Sequence, residues 1–428
     1  MASPPAASAS ASVSVSTPAR ALAALLVPAV LVGIGSSLVL LLLSKLAAQL
    51  QRLYWTTIPR QLGFGHWDRW WMLVVLTGTG VLVGLVVWLM PGHGGPDPST
   101  VSLVGPPEPP AVLPSVAVAT VLALAGGVSL GPENPITMLN IALAYALGRR
   151  FLPAAKAPLW ISLAVSGTIG ALFGAPIASA LIISEIPGRP DEPRSLWDRL
   201  FAPLASAVSG AMTTLLIAGN DFVIDVPEFT GTRPVYLLWA LLTGSAGALL
   251  GLAAVYAFAP LHSAFQRIGN PLVMLTVGGL LLGLLGALGG HLTLFKGLDE
   301  VKELVTTSQN YSAWGLLGLV LVRVAALLVA ATCGFRGGRI FPAVFAGVAL
   351  GCAAHGAVAS VPVSLAIACS ILGVLLAVTR QGWLSLFTAA AIVPDTRLLS
   401  FLCVAALPAW LLVTGRREML IQAPGSSA

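Results

Sequence analysis

Residues 126–148 read GGVSLGPENPITMLNIALAYALG, and a single carboxylate, Glu133, stands there between Pro132 and Pro135 in otherwise apolar sequence. A glycine turn followed closely by proline predicts the start of a helix, because an N–H missing from the first turn has no intrahelical partner to lose. From Pro135 to Gly148 is about 14 residues, roughly 20 Å of helix, too short to cross about 30 Å of hydrocarbon. A helix started at membrane depth exposes its first N–H groups and about half a positive charge, the makings of an anion site. A tight turn at a membrane surface is the alternative for this stretch taken alone.

Further along, the polar stretch GNDFVIDVPEFTGTRP, residues 219–234, separates two hydrophobic halves of similar length. Gly131-Pro-Glu-Asn-Pro135-ITMLN-IAL aligns without gaps on Gly338-Arg-Ile-Phe-Pro342-AVFAG-VAL in the second half. Interrupted helices in corresponding halves point to a transport site near the bilayer midplane. A third stretch, Gly92-His93-Gly94-Gly95-Pro96, again offers closely spaced glycines whose backbone can approach a ligand. His93 either projects a ring nitrogen towards the ion or is a loop histidine.

The whole composition agrees with a membrane location. Of 428 residues, 57% are hydrophobic and 9% charged, with a mean hydropathy of +0.92, against about 25% charged in an ordinary soluble domain. Apolar runs lie near 21–44, 71–90, 111–130, 157–185, 200–218, 235–259, 271–294, 313–333, 340–378 and 384–413. Some are too long or too broken by glycine to be simple spans. Non-helical backbone at depth survives only inside protein or beside a wet cavity. The net charge of +6 is spread over membrane-flanking residues and does not form a nucleic-acid surface. Cys333, Cys352, Cys369 and Cys403 have no CxxC spacing, and the five histidines form neither HExxH nor HxxH. Neither a metal nor another cofactor is expected. Residues 1–20 read as a disordered cytoplasmic lead and 415–428 as a short tail, framing a first membrane repeat at 21–218, a connecting loop at 219–234 and a second repeat at 235–414.

In this order GHGGP, GPENP and GGRIFPAVFAG resemble the three anion-site signatures of the chloride channel (ClC) family, approximately GSGIP, GREGP and GGIFAP. FGAPIASALIISE, residues 173–185, is similar to that family's stretch ending in an acidic residue, and VTRQGWLSL, residues 378–386, keeps the arginine of its RAPLTG-like segment. The resemblance runs from about residue 22 to 415 and is nearest to a divergent bacterial branch of ion-transport proteins. It implies an all-α polytopic membrane protein, a ClC-type inverted repeat of many tilted and half-spanning helices. It also implies a homodimer in the bilayer, with one anion pathway per subunit.

Under the resemblance, anions are held by helix N-termini around His93, Gly94, Gly95 and Pro96, around Glu133, Asn134 and Pro135, and around Arg339, Ile340 and Phe341. Glu133 falls on the gating glutamate, which occupies the outer anion position when ionised. Physics agrees that a carboxylate and an anion compete for the same N–H groups; a permanent helix cap is the other reading of Glu133. The departures are specific. Pro132 stands where a basic residue is usual, Asn134 replaces a glycine, His93 replaces a serine, and no tyrosine falls near Met419, so the inner gate is altered or missing. Glu185 aligns with the first of two acidic residues and Ile186 with the proton-carrying second, although a shift of one residue restores Glu185 to that role; Glu185 is equally read as a helix-end carboxylate. The expectation is a non-enzymatic transporter of small inorganic anions, chloride first among them, in a bacterial inner membrane. Chloride/proton antiport is the alternative. No pair of catalytic carboxylates or activated nucleophile supports a membrane enzyme.

Overall fold

A computed structural model describes residues 19–65, 67–185, 195–219, 222–231 and 233–421. In the first half the chain runs through α1 (Ala19–Arg52), α2 (Ile58–Leu62), α3 (Arg69–Leu89), α4 (Leu113–Ala125), α5 (Glu133–Phe151), α6 (Ala157–Phe173), α7 (Pro176–Glu185) and α8 (Leu196–Ala218). The second half contains α9 (Val235–Gln266), α10 (Pro271–Gly289), α11 (Leu298–Thr307), α12 (Ala313–Thr332), α13 (Ile340–Ala357), α14 (Val363–Thr379), α15 (Gly382–Ile392) and α16 (Leu398–Val413). Among the described residues, seven helical stretches are long and apolar enough to cross a membrane. Of the expected lead, residues 1–18 lie outside the described residues, as do 422–428 of the tail, while Ala19 and Arg20 already belong to α1.

Local sequence sets most of the boundaries. Asp68, Ser195, Asn270 and Ser312 accept backbone N–H bonds at the starts of α3, α8, α10 and α12, the usual work of short polar side chains at a helix start. Gly174 takes a left-handed conformation and breaks the apolar run 157–185 into α6 and α7. Runs 340–378 and 384–413 also divide, into α13 with α14 and α15 with α16, through the non-helical residues Val358 and Val393. The expected end of α5 at Gly148 is corrected: the helix runs on to Phe151, giving 19 residues and about 28 Å. Gly148 is kept helical and serves packing, since a Cβ there would lie 2.3 Å from Trp160.

The same pairs of partners recur in the two halves. α1 packs on α6 and α8 as α9 packs on α14 and α16; α5 lies on α6 as α13 lies on α14; and α7 follows α6 as α15 follows α14. The α3–α10 contact joins the halves. It is close because Gly279 has no side chain: a Cβ would sit 2.3 Å from the Leu76 carbonyl oxygen. The glycine-rich stretches 244–251 and 278–290 therefore serve packing inside one chain, the first on α14 and α16 and the second, through Gly279 and Gly283, on α3.

Burial is graded from centre to rim. Every residue of α14 from Ser364 to Val378 is buried, while Leu31, Leu42, Leu216, Leu288, Leu321 and Leu411 on other helices are exposed. An exterior of bare leucine suits lipid, where apolar side chains need no further cover.

Candidate anion pathway

The site is assembled where the two repeat motifs meet. Gly131 and Gly338, the aligned glycines, form an isolated antiparallel bridge, with Gly131 N–H donating to Gly338 O at 2.9 Å and Gly338 N–H to Gly131 O at 2.6 Å. A reciprocal bond between equivalent residues is what a local twofold relation between two halves produces. Immediately after each glycine a helix begins, α5 at Glu133 and α13 at Ile340. The matching prolines, Pro135 and Pro342, are each the third residue of their helix. No intrahelical acceptor is available to an N–H at that position, so neither proline costs the helix a bond.

The Glu133 side chain is fully buried, and its Oε1 accepts the Ile340 N–H at 2.6 Å. Its Oε2 is buried without a partner. The carboxylate of one repeat thus sits on the helix start of the other, where the amide and the helix dipole both favour negative charge. Gly338 leaves it the room: a Cβ there would lie 2.1 Å from Glu133 Cδ. Phe341 walls the site, stacked on Phe173 at 5.4 Å between ring centres and edge-on to Phe222 at 5.8 Å. Phe222 comes from the connecting loop, so that polar segment returns to the site.

Asn134, Arg339 and Ile340 line a cavity with Ser102, Thr379, Arg380, Gln381 and Met419. Arg339 donates to the carbonyls of Met419 and Pro98 and lies over the Phe258 ring at 4.8 Å. Met419, where the resemblance places a pore tyrosine, is buried at this cavity.

The expectation of a helix start at GHGGP is corrected. Residues 91–100 form turns, and the next helical residue is Pro110. Gly92, His93, Gly94 and Gly95 all have positive φ; the three glycines adopt it without strain, and His93 is the non-glycine member of the run. The N–H groups of His93, Gly94 and Gly95 are spent on Met90 O, Ser115 Oγ and Gly92 O. Their carbonyls converge instead on the buried guanidinium of Arg336, whose Nε donates to Gly94 O at 2.6 Å and whose Nη2 donates to His93 O and Gly95 O. The loop holds a cation, the reverse of the charge preference expected of it. The exposed His93 ring bonds Val87 O through Nδ1 at 2.9 Å. Pro96 lines a neighbouring cavity that also includes Asn134.

Glu185 is placed apart from Glu133, accepting the Trp383 N–H at 2.7 Å at the start of α15. Ile186 lies outside the described residues. Sequence reasoning does not single out Arg336 or residues 101–103. The first arginine of FRGGR is the available sign for Arg336, but carbonyl partners on a distant loop leave no mark in its own neighbourhood.

Residues 98–414 match the family described as voltage gated chloride channel. The fold and the site define a polytopic membrane protein of ClC architecture. The chain belongs to that family. Relatives named "Putative ion-transport protein YfeO" from Escherichia fergusonii and Escherichia coli are 47% identical over 407 residues, covering 95% of this chain and 97% of theirs. Among solved structures, a CLC-type fluoride/proton antiporter superposes with a TM-score of 0.72 at 18% identity, covering 94% of this chain and 98% of its own. A slow cyanobacterial Cl-/H+ antiporter does so with a TM-score of 0.76 at 19% identity, covering 92% and 96%. At such identities the likeness establishes the fold.

Proposed function

We propose that this protein moves small inorganic anions, chloride first among them, across a bacterial inner membrane, with Glu133 as the gate. The observation that carries the reading is the 2.6 Å bond from the Ile340 N–H to Glu133 Oε1, beside a cavity lined by Asn134, Arg339 and Ile340. An ionised carboxylate occupies the seat that an anion would take. Protonation weakens its hold on the amide, and an anion then competes successfully. The family resemblance implies a homodimer, with one passage in each subunit.

Passive conduction is the primary reading, because the residue after Glu185, at the position of the proton-carrying acid, is Ile186, which cannot relay a proton. Antiport is the second reading; the two structural relatives above are described as proton antiporters. Chloride-loaded liposomes carrying an internal pH dye test both. Chloride efflux without proton movement supports passive conduction, and proton uptake driven by a chloride gradient assigns exchange. Absence of flux for chloride, fluoride and nitrate overturns the transport reading.

A further inference from the structure

Arg20, Arg149, Arg150, Lys156 and Arg199 lie far apart in the sequence, and packing brings them to one end of the molecule. α1, α6 and α8 run side by side in the same direction. Ser206 Oγ donates to Leu163 O at 2.8 Å, and a Cβ on Gly210 would lie 2.4 Å from Gly167 O. Ser37 and Thr214 share a hydrogen bond at 2.8 Å, with Gly33 against Ser206 and Gly210. Carried back to the helix starts, these registers set Lys156 level with Arg199 and Arg20 level with Trp197. α5 ends at the same place, for Gly148 lies against the Trp160 ring of α6 and Tyr145 joins Leu25, Trp160 and Ala202 in one apolar cluster. Arg149 and Arg150 follow in the next turn.

The described ends of these four helices thus carry five cations and one acid, Asp198. Among the described residues none of the five cations forms an ion pair; Arg149 lies over the Tyr145 ring at 5.5 Å. α6 starts at Ala157 with no side-chain cap, so its first N–H groups and the positive end of its dipole add to the same field. The buried Trp160 Nε1, in the first turns of α6, has no acceptor. Around the cations Phe151 and Trp197 are 75% and 73% exposed, with Leu152 and Leu196 beside them in sequence also exposed.

We propose that this end of the molecule docks an anionic phospholipid, with the phosphodiester among the guanidinium and ammonium groups and the acyl chains along α1 and α8. Both helices belong to stretches long and apolar enough to cross a membrane, so their starts lie at headgroup depth, where tryptophan and basic residues are favoured. A guanidinium offers a phosphate two parallel N–H groups, and the free donors of Arg149, Arg150 and Arg199 supply them. The apolar rim selects a lipid over a soluble anion, because free phosphate leaves Phe151 and Trp197 uncovered. Val27 and Leu31, exposed further along α1, continue that apolar surface away from the charges. The inference is separate from the transport reading and needs no flux for its test.

Full-length protein in detergent is titrated with dioctanoylphosphatidylglycerol or dioctanoylphosphatidylcholine, and bound lipid is counted by native mass spectrometry. The anionic lipid is expected to bind at least about tenfold more tightly, since each cation near the headgroup contributes about fivefold in affinity. Replacing Arg149, Arg150 and Lys156 together by glutamine should weaken the anionic lipid about a hundredfold and leave the zwitterionic one within about twofold. Lys156→Gln alone should cost about fivefold, and it carries the test if the triple variant fails to fold. Arg60→Gln removes an exposed cation just beyond the far end of α1 and should change nothing. Equal binding of the two lipids by the parent overturns the proposal, as does anionic-lipid binding unchanged in the variants that fold. An equal loss in Arg60→Gln and Lys156→Gln also overturns it, because the attraction then belongs to the net charge and not to this end of the molecule.

Discussion

Replacing Glu133 by alanine removes the carboxylate that accepts the Ile340 N–H at 2.6 Å. A hydrogen bond to a charged group contributes about 1.5–3 kcal/mol, so an anion gains roughly 10- to 100-fold in its competition for that amide. Chloride efflux from liposomes should rise towards that range, up to the limit set by another step. Parent flux should increase as pH falls, because a neutral carboxyl group competes less well with the anion, and the Glu133→Ala profile should be flat. Glu133→Gln imitates the neutral acid in shape; its flux should be independent of pH but slower than that of the alanine variant, because the side chain still fills the seat. Flux in Glu133→Ala that follows pH as the parent does would refute the gate. If Glu133 is only a cap, the variant loses about 0.5–2 kcal/mol of stability and keeps the parent profile.

Gly338→Ala places a Cβ 2.3 Å from Glu133 Oε1; the carboxylate should be displaced and the flux profile flattened, whereas an unchanged profile contradicts the geometry. Arg336→Met leaves the carbonyls of His93, Gly94, Gly95 and Gly334 without their donor. At about 1 kcal/mol each, the loss is roughly 4 kcal/mol, seen as a lower melting temperature in detergent, and Arg336→Lys should recover part of it. Glu185→Gln weakens the bond at Trp383 N–H and should cost about 1 kcal/mol without altering chloride flux or its proton readout; loss of proton movement would assign Glu185 to a proton path.

Much of the architecture is legible in local sequence. The membrane class follows from averaged hydropathy, and the starts of α5 and α13 follow from glycine and proline, whose backbone effects act within a few residues. The GHGGP stretch shows where such reasoning ends. Its glycines correctly mark a backbone with unusual freedom, but the same freedom can turn either N–H or C=O towards a neighbour. Here Arg336 takes the carbonyls. The extension of α5 through Gly148 is a similar case, because Trp160 fills the space beside that glycine.

Composition and neighbouring residues are thus enough to put the chain in a bilayer, to start two helices at matching motifs, and to set one carboxylate at one of those starts. They do not say that the carboxylate of Glu133 reaches the amide of Ile340, 207 residues away, nor which loop offers its amides and which its carbonyls. Those outcomes belong to the folded chain. Contacts of that kind depend on how distant segments are oriented when their apolar faces pack, and orientation is not a property of any short stretch.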